Sequence, residues 1–312
     1  MIKIIVNIML AVVLLQINRS SVNDQVKQVE SWKMGTSSGL FNDFSQEEFN
    51  LFKKEGIDYI ELSSGIFSKK TQSEKEALVN ELKRKADASG IKVWSIHLPF
   101  GRTLDVSNQN EAEKNNMIKE CSDLMVLCKP LMPQKYIIHP SAEPITAEER
   151  PKRLITGIAS LKILNETAKQ NNARLAVECL PRTCLGNTAD ELLTIVNEVG
   201  GGIGICFDSN HLLKEKPEQF VAKTGNLIVT VHISDYDGLD EKHWLPGTGV
   251  INWTKVIAEL AKSGYNGPFM YETSKRKPSQ EPTSEPVKLT AKNLYDNFAE
   301  LKSDFLKSSG VN

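Results

Sequence analysis

Strand-like apolar runs alternate with amphipathic helical runs eight times along this chain, and no other feature limits its fold as sharply. The apolar runs are "SWKMGTS", "IDYIELS", "IKVWSIHLP", "KYIIHPS", "ARLAVECLP", "GIGICFDSN", "LIVTVHISD" and "GPFMYET". Helical patterns such as "SEKEALVNELKRKADASG" and "NWTKVIAELAKSG" lie between them, and Gly90, Gly200 and Gly264 supply helix stops. Parallel strands need a crossover, so strict β–α alternation predicts a parallel sheet. Eight units predict a single closed (β/α)8 TIM barrel. The rival, an open doubly wound sheet, would carry a glycine-rich nucleotide turn after its first strand. "MGTSSGLFND" at 34–43 is not that motif.

The first residues follow another pattern. Lys3 precedes an apolar stretch from Ile4 to Leu15, too short to span a bilayer but suited to the core of a signal peptide. Residues 1–21 are read as a signal peptide, 22–30 as a linker and 31–312 as the barrel. Export to the periplasm or medium follows; an unprocessed chain would be cytoplasmic. Basic and acidic residues number 38 and 39, a balance that gives no reason to expect nucleic acid or a membrane surface as partner. Five cysteines without a C-x-x-C pair predict no disulfide framework.

Side-chain parity locates the chemistry. Side chains alternate along a strand. In the last four strands, Leu175 and Val177, Ile203, Ile205 and Phe207, Val229 and Val231, and Phe269 and Tyr271 share the parity that suits the outer helices. The opposite parity ends in Glu178, Asp208, His232 and Glu272. All four fall at the C-terminal rim, where barrel enzymes build their sites. Three carboxylates crowded there would repel unless a cation joined them, so the set is read as ligands of one divalent metal ion. Its oxygen-rich donors favour manganese, with magnesium, cobalt or zinc as alternatives. His97, His139, His211 and His243 also fall at rim or loop positions. With Arg182 they are candidate substrate contacts, and Trp244 is a candidate for stacking on a sugar face. The Gly247-Thr248-Gly249 turn either brings backbone close to the site or only reverses the chain into a helix. Lys275-Arg276-Lys277 could hold an anionic group of the substrate. Trp94 has outward parity and is assigned to the core.

"AVECLPR", "ICFDSNHLL", "VHISDYDG…HWLPGTGVINW" and "GPFMYET" resemble the xylose isomerase-like barrel superfamily, which includes sugar phosphate isomerases/epimerases, ketohexose 3-epimerases, inosose dehydratases and endonuclease IV. The resemblance covers the chain after residue 30. It implies that Glu178, Asp208, His232 and Glu272 bind the metal, that Glu178 and Glu272 are also the catalytic acid/base pair, and that His211 contacts a substrate oxygen. Ketohexose 3-epimerases carry a further Glu and an Arg where this chain has Cys184 and Gly238, which implies a different grip on the sugar. A likeness to endonuclease IV would instead imply three zinc ions, with His97, His139, His211, His232 and His243 as ligands and an acid near Glu241.

The expected partner is a small-molecule carbohydrate. The expected reaction is isomerisation or epimerisation by proton abstraction beside a carbonyl, through an enediolate. A lyase or dehydratase acting on a keto-sugar or 3-keto-glycoside would use the same intermediate, expelling a leaving group instead of returning the proton.

Overall fold

A computed structural model describes residues 22–274 and 289–310. The expected signal segment and the Lys275-Arg276-Lys277 run lie outside the described residues. Eight parallel strands form one sheet: β1 (Met34–Ser37), β2 (Ile57–Ser63), β3 (Lys92–His97), β4 (Lys135–Ile138), β5 (Arg174–Glu178), β6 (Gly204–Asp208), β7 (Ile228–His232) and β8 (Phe269–Tyr271). From β1 to β7 each strand pairs with its sequence neighbours, and β8 pairs with β1. Just beyond β7 the ring closes: Ile233 N–H donates to Met270 O at 2.8 Å, and Glu272 N–H donates to Ile233 O at 3.1 Å. The expected (β/α)8 barrel is the observed one.

The helices between strands are α2 (Gln46–Lys54), α3 (Gln72–Ser89), α4 (Glu111–Leu127), α5 (Arg150–Gln170), α6 (Ala189–Val199), α7 (Pro217–Thr224) and α8 (Trp253–Lys262); α9 (Ala291–Ser308) follows β8. Their starts are encoded locally. Ser45, Thr71, Asn110, Thr188, Asn252 and Thr290 each accept a hydrogen bond from a first-turn N–H, satisfying a donor that the helix itself leaves unpaired. Leu192, Ile195 and Val196 of α6 and Val256, Ile257 and Leu260 of α8 join the core around the barrel. Each such side chain contributes about 1.5–3 kcal/mol on burial.

Residues 22–31 are helical (α1), not a linker. Val26 and Val29 of this helix are buried in the core. Gln28 Nε2 and Trp32 Nε1 both donate to the carbonyl of Tyr265, just ahead of β8, at 2.6 and 2.8 Å. The helix therefore packs by the N-terminal ends of β1 and β8, where its apolar stripe finds a partner that its short sequence did not reveal.

The register shifts in three strand pairings, and two of these shifts redirect Trp94 and Val229. The register shifts between Ile60 and Glu61, so Trp94 has no partner of its own on β2. Trp94 turns inward, and its Nε1 donates to Thr230 Oγ1 of β7, on the far side of the barrel, at 3.0 Å. The outward parity assigned to Trp94 is thus corrected, because one extra residue flips the phase of a strand. A second shift, between Ile205 and Cys206, sends Val229 inward against Ile137, Ala176 and Cys206. A Cβ on Gly204 would lie 2.4 Å from Val229 Cγ2, so glycine leaves the room that Val229 fills.

Candidate active site

The strand ends deliver the candidate residues to one place. Glu178 ends β5, Asp208 ends β6, His232 ends β7, and Glu272 follows β8. Ligand atoms from these four side chains all lie within 4.8 Å of one another. His232 Nδ1 lies 3.0 Å from Glu178 Oε1, 2.9 Å from Glu272 Oε2 and 3.9 Å from Asp208 Oδ2. One nitrogen carries at most one proton and satisfies one such oxygen. Asp208 Oδ2 and Glu272 Oε2 are buried and take no hydrogen bond, the short approach of Glu272 to His232 being misaligned for one. Burial, helped by Glu272 and Glu178, pushes Asp208 up to about 7 against the pull of His211. Glu178 moves the other way: burial opposes its ionisation, but His232 and His139 hold it well below the usual carboxylate range. Crowded acids with orphaned oxygens around one imidazole nitrogen fit a divalent cation.

The other histidines converge on the same acids. His97 Nε2 and His139 Nε2 reach Glu178 Oε2 at 3.1 and 3.0 Å. His97 Nδ1 lies 3.0 Å from Leu98 O. A ring facing acceptors on both sides carries two protons, or one proton and a cation. Burial works against the charged ring, yet the bond to Glu178, with Glu61 and Glu272 nearby, lifts His97 to about 9. His211 Nε2 lies 3.1 Å from Glu241 Oε2, and its Nδ1 lies 3.3 Å from Asp208 Oδ2. Burial opposes this charge too, but Asp208, Glu241 and Glu178 raise His211 to about 10. His243 Nδ1 lies 3.1 Å from Glu272 O. Among the described residues three further three-ligand groups result, His97–His139–Glu178, His211–Glu241–His243 and Glu178–Cys206–His232.

Above these residues opens a cavity of about 330 Å³, lined by His97, Phe100, His139, Glu178, His211 and Glu272 among others. That is the size of a small-ligand site. Arg182 also borders it, but its guanidinium is engaged: Glu143 Oε1, Asp240 Oδ1 and Glu241 Oε1 lie at 2.7, 2.6 and 2.9 Å. Arg182 therefore ties the loops after β4 and β7 together across the mouth. Trp244 is not among the residues that line the cavity; its backbone pairs with Asp235. The aromatic ring there is Phe100, half-exposed and stacked on His139 with centroids 4.2 Å apart.

The Gly-Thr-Gly turn proves to be loop architecture. Buried Asp235 accepts from the N–H groups of Tyr236, Gly247 and Ile251 and from Trp253 Nε1, at 2.9, 2.8, 3.2 and 2.9 Å. A Cβ on Gly249 would lie 2.1 Å from Tyr236 O and 2.3 Å from Asp235 Oδ1. The turn wraps this carboxylate, and the loop so fixed carries Glu241 and His243 to the cavity.

Glu61 of β2 escaped the sequence reading. It is buried, and its oxygens lie 3.0 and 3.1 Å from His232 Nε2. Its signal was the one used elsewhere, an acid near the end of an apolar strand, "IDYIELS".

A family model described as xylose isomerase-like TIM barrel matches residues 49–294. The chain is similar to an uncharacterised protein of Methanocaldococcus jannaschii, 28% identical over 185 residues, covering 57% of this chain and 63% of that relative. It is also similar to an inosose isomerase of Halalkalibacterium halodurans, 27% identical over 261 residues, covering 77% of this chain and 86% of the relative. A crystal structure of a D-tagatose 3-epimerase-like protein shares the fold, with a TM-score of 0.72 and 22% identity over 89% of this chain and 98% of that one.

Proposed function

Since the chain belongs to the xylose isomerase-like TIM barrel family, we propose that it is a divalent-metal-dependent sugar isomerase or epimerase. The observation that carries this reading is the placement of Glu178 and Glu272 around His232, with orphaned carboxylate oxygens, beneath a cavity of monosaccharide size. The similarity to an inosose isomerase supports a sugar-like substrate. Glu178, Asp208, His232 and Glu272 would hold the cation, manganese first among candidates, which when bound polarises a substrate carbonyl and steadies the negative charge that develops on its oxygen.

The chain's own residues move the proton. One glutamate takes the hydrogen from the carbon beside the carbonyl, and the electron pair of that bond passes into an enediolate. The other glutamate returns a proton to the opposite face, giving an epimer, or to the neighbouring carbon, giving an isomer. His139, held by Glu178 through Nε2, turns Nδ1 to a substrate hydroxyl, His97 and His211 brace the acids at the cavity wall, and Phe100 offers a face to the sugar's C–H side. Turnover of keto-sugars in deuterated water tests the reading. Deuterium at carbon in the product is expected; turnover without it would refute proton transfer. An unsaturated sugar with a released substituent would instead identify the lyase.

One observation favours a second reading, a multi-metal hydrolase of the endonuclease IV type. The groups His97–His139–Glu178 and His211–Glu241–His243 flank the central four. Balanced charge argues against a DNA partner. Metal content per chain separates the two: about one ion supports the isomerase, and about three zinc ions support the hydrolase. Export also belongs to the proposal and rests on the apolar stretch Ile4 to Leu15. The N-terminal mass of protein recovered from outside the cytoplasm tests it.

A further inference from the structure

We propose that Glu61 is a positioning residue that fixes the tautomer of His232, so that Nδ1 rather than Nε2 faces the cation; this rests on the metal-dependent reading above. His232 is fully buried and meets acids on both edges of its ring. Nε2 lies 3.0 and 3.1 Å from the two oxygens of Glu61, and the buried Cys206 thiol also lies beside the ring. Nδ1 faces Glu178, Glu272 and Asp208. A neutral imidazole has one N–H and one lone pair, and an ionised carboxylate only accepts. A proton on Nε2, donated to Glu61, leaves the Nδ1 lone pair for a metal ion. A proton on Nδ1 would satisfy one of the three acids and close that position.

Glu61 is itself held. Ser95 Oγ, fully buried on β3, donates to Glu61 Oε2 at 2.6 Å. That bond orients the carboxylate in the plane it needs. The ring of His97 lies nearly parallel to that of His232, with centroids 5.8 Å apart, and limits how far it can turn. Carboxylates placed behind a metal-binding histidine typically account for a 10- to 100-fold difference in metal affinity. Glu61 has that place here and makes no contact with the cavity, whose lining does not include it.

The test uses the full-length protein stripped of metal and titrated with Mn²⁺ against a competing chelator. Glu61→Gln keeps the shape but can present an N–H to His232 Nε2, favouring the wrong tautomer. Its Mn²⁺ dissociation constant should rise by about 10- to 100-fold. Nitrogen-15 spectra of the Zn²⁺-loaded wild type should show the proton on His232 Nε2 and the metal on Nδ1, and those of Glu61→Gln a weakened Nε2–H signal. Ser95→Ala, a milder change that serves if Glu61→Gln fails to fold, should raise the constant by less than about tenfold. An unchanged Mn²⁺ constant in a folded Glu61→Gln, or a Zn²⁺-loaded wild type whose His232 carries its proton on Nδ1 alone, would overturn the proposal. A wild type that binds no Mn²⁺, Co²⁺ or Zn²⁺ would overturn the metal reading itself, whereas wild-type binding that Glu61→Gln leaves unchanged is a failure of Glu61 alone.

Discussion

Replacing Asp235 with alanine removes the acceptor of four hydrogen bonds at a position with no solvent access. Bonds to a charged acceptor contribute roughly 1.5–3 kcal/mol each, so independent losses would total about 6–12 kcal/mol. They are not independent. Three donors belong to one loop and the fourth, Trp253 Nε1, opens the helix that follows it; the loop can open and let water reach its amides, so the cost is limited by the free energy of opening that segment. The expected loss is about 3–5 kcal/mol, within the range of a broken buried network. For a domain of this size that corresponds to a melting temperature lower by about 6–20 °C. Asp235→Asn keeps one acceptor oxygen and should lose about half as much. Urea unfolding measures the global effect, and amide exchange at Gly247 and Ile251 measures loop opening. Turnover should fall as well, because the same loop carries Glu241 and His243. A loss below about 1 kcal/mol with unchanged exchange at those amides would refute the reasoning.

Glu178→Gln and Glu272→Gln should each lower the rate of solvent deuterium entry into substrate by at least about 100-fold, as read by proton NMR. Arg182→Met frees Asp240 and Glu241; because the guanidinium is over a third exposed, stability should change by under about 1 kcal/mol while KM rises several-fold. Removing the metal from protein held at a hundred times its dissociation constant should lower stability by about 2.7 kcal/mol, seen as a lower melting temperature that added Mn²⁺ restores. Gly204→Ala should cost about 1–3 kcal/mol because of Val229, and adding Val229→Ala should recover much of it; additive losses in the double variant would show the clash is not the cause.

The central site was legible because its signal is local. Glu178, Asp208, His232 and Glu272 each stand at the end of a short apolar strand, where a parity of two needs only a few residues to read. That parity fails wherever a bulge inserts a residue, and nothing within β3 or β7 announces one. Trp94 and Val229 point inward because of pairings with β2 and β6, so their direction belongs to the sheet and not to the strand. The partners of Arg182 were hidden for a related reason. Its position beside the cavity was readable from its own strand, but the acids that engage it lie 39, 58 and 59 residues away. Glu61 lies 171 residues from His232, and only barrel closure makes it the group behind the ring. A strand end thus reveals which residues reach the rim. How each is protonated and aimed is decided by a partner strand, and in this barrel those partners are acids from distant segments. The reactivity of His232 is set by Glu61 on one edge and by three rim acids on the other, an arrangement that depends on the register of the whole sheet.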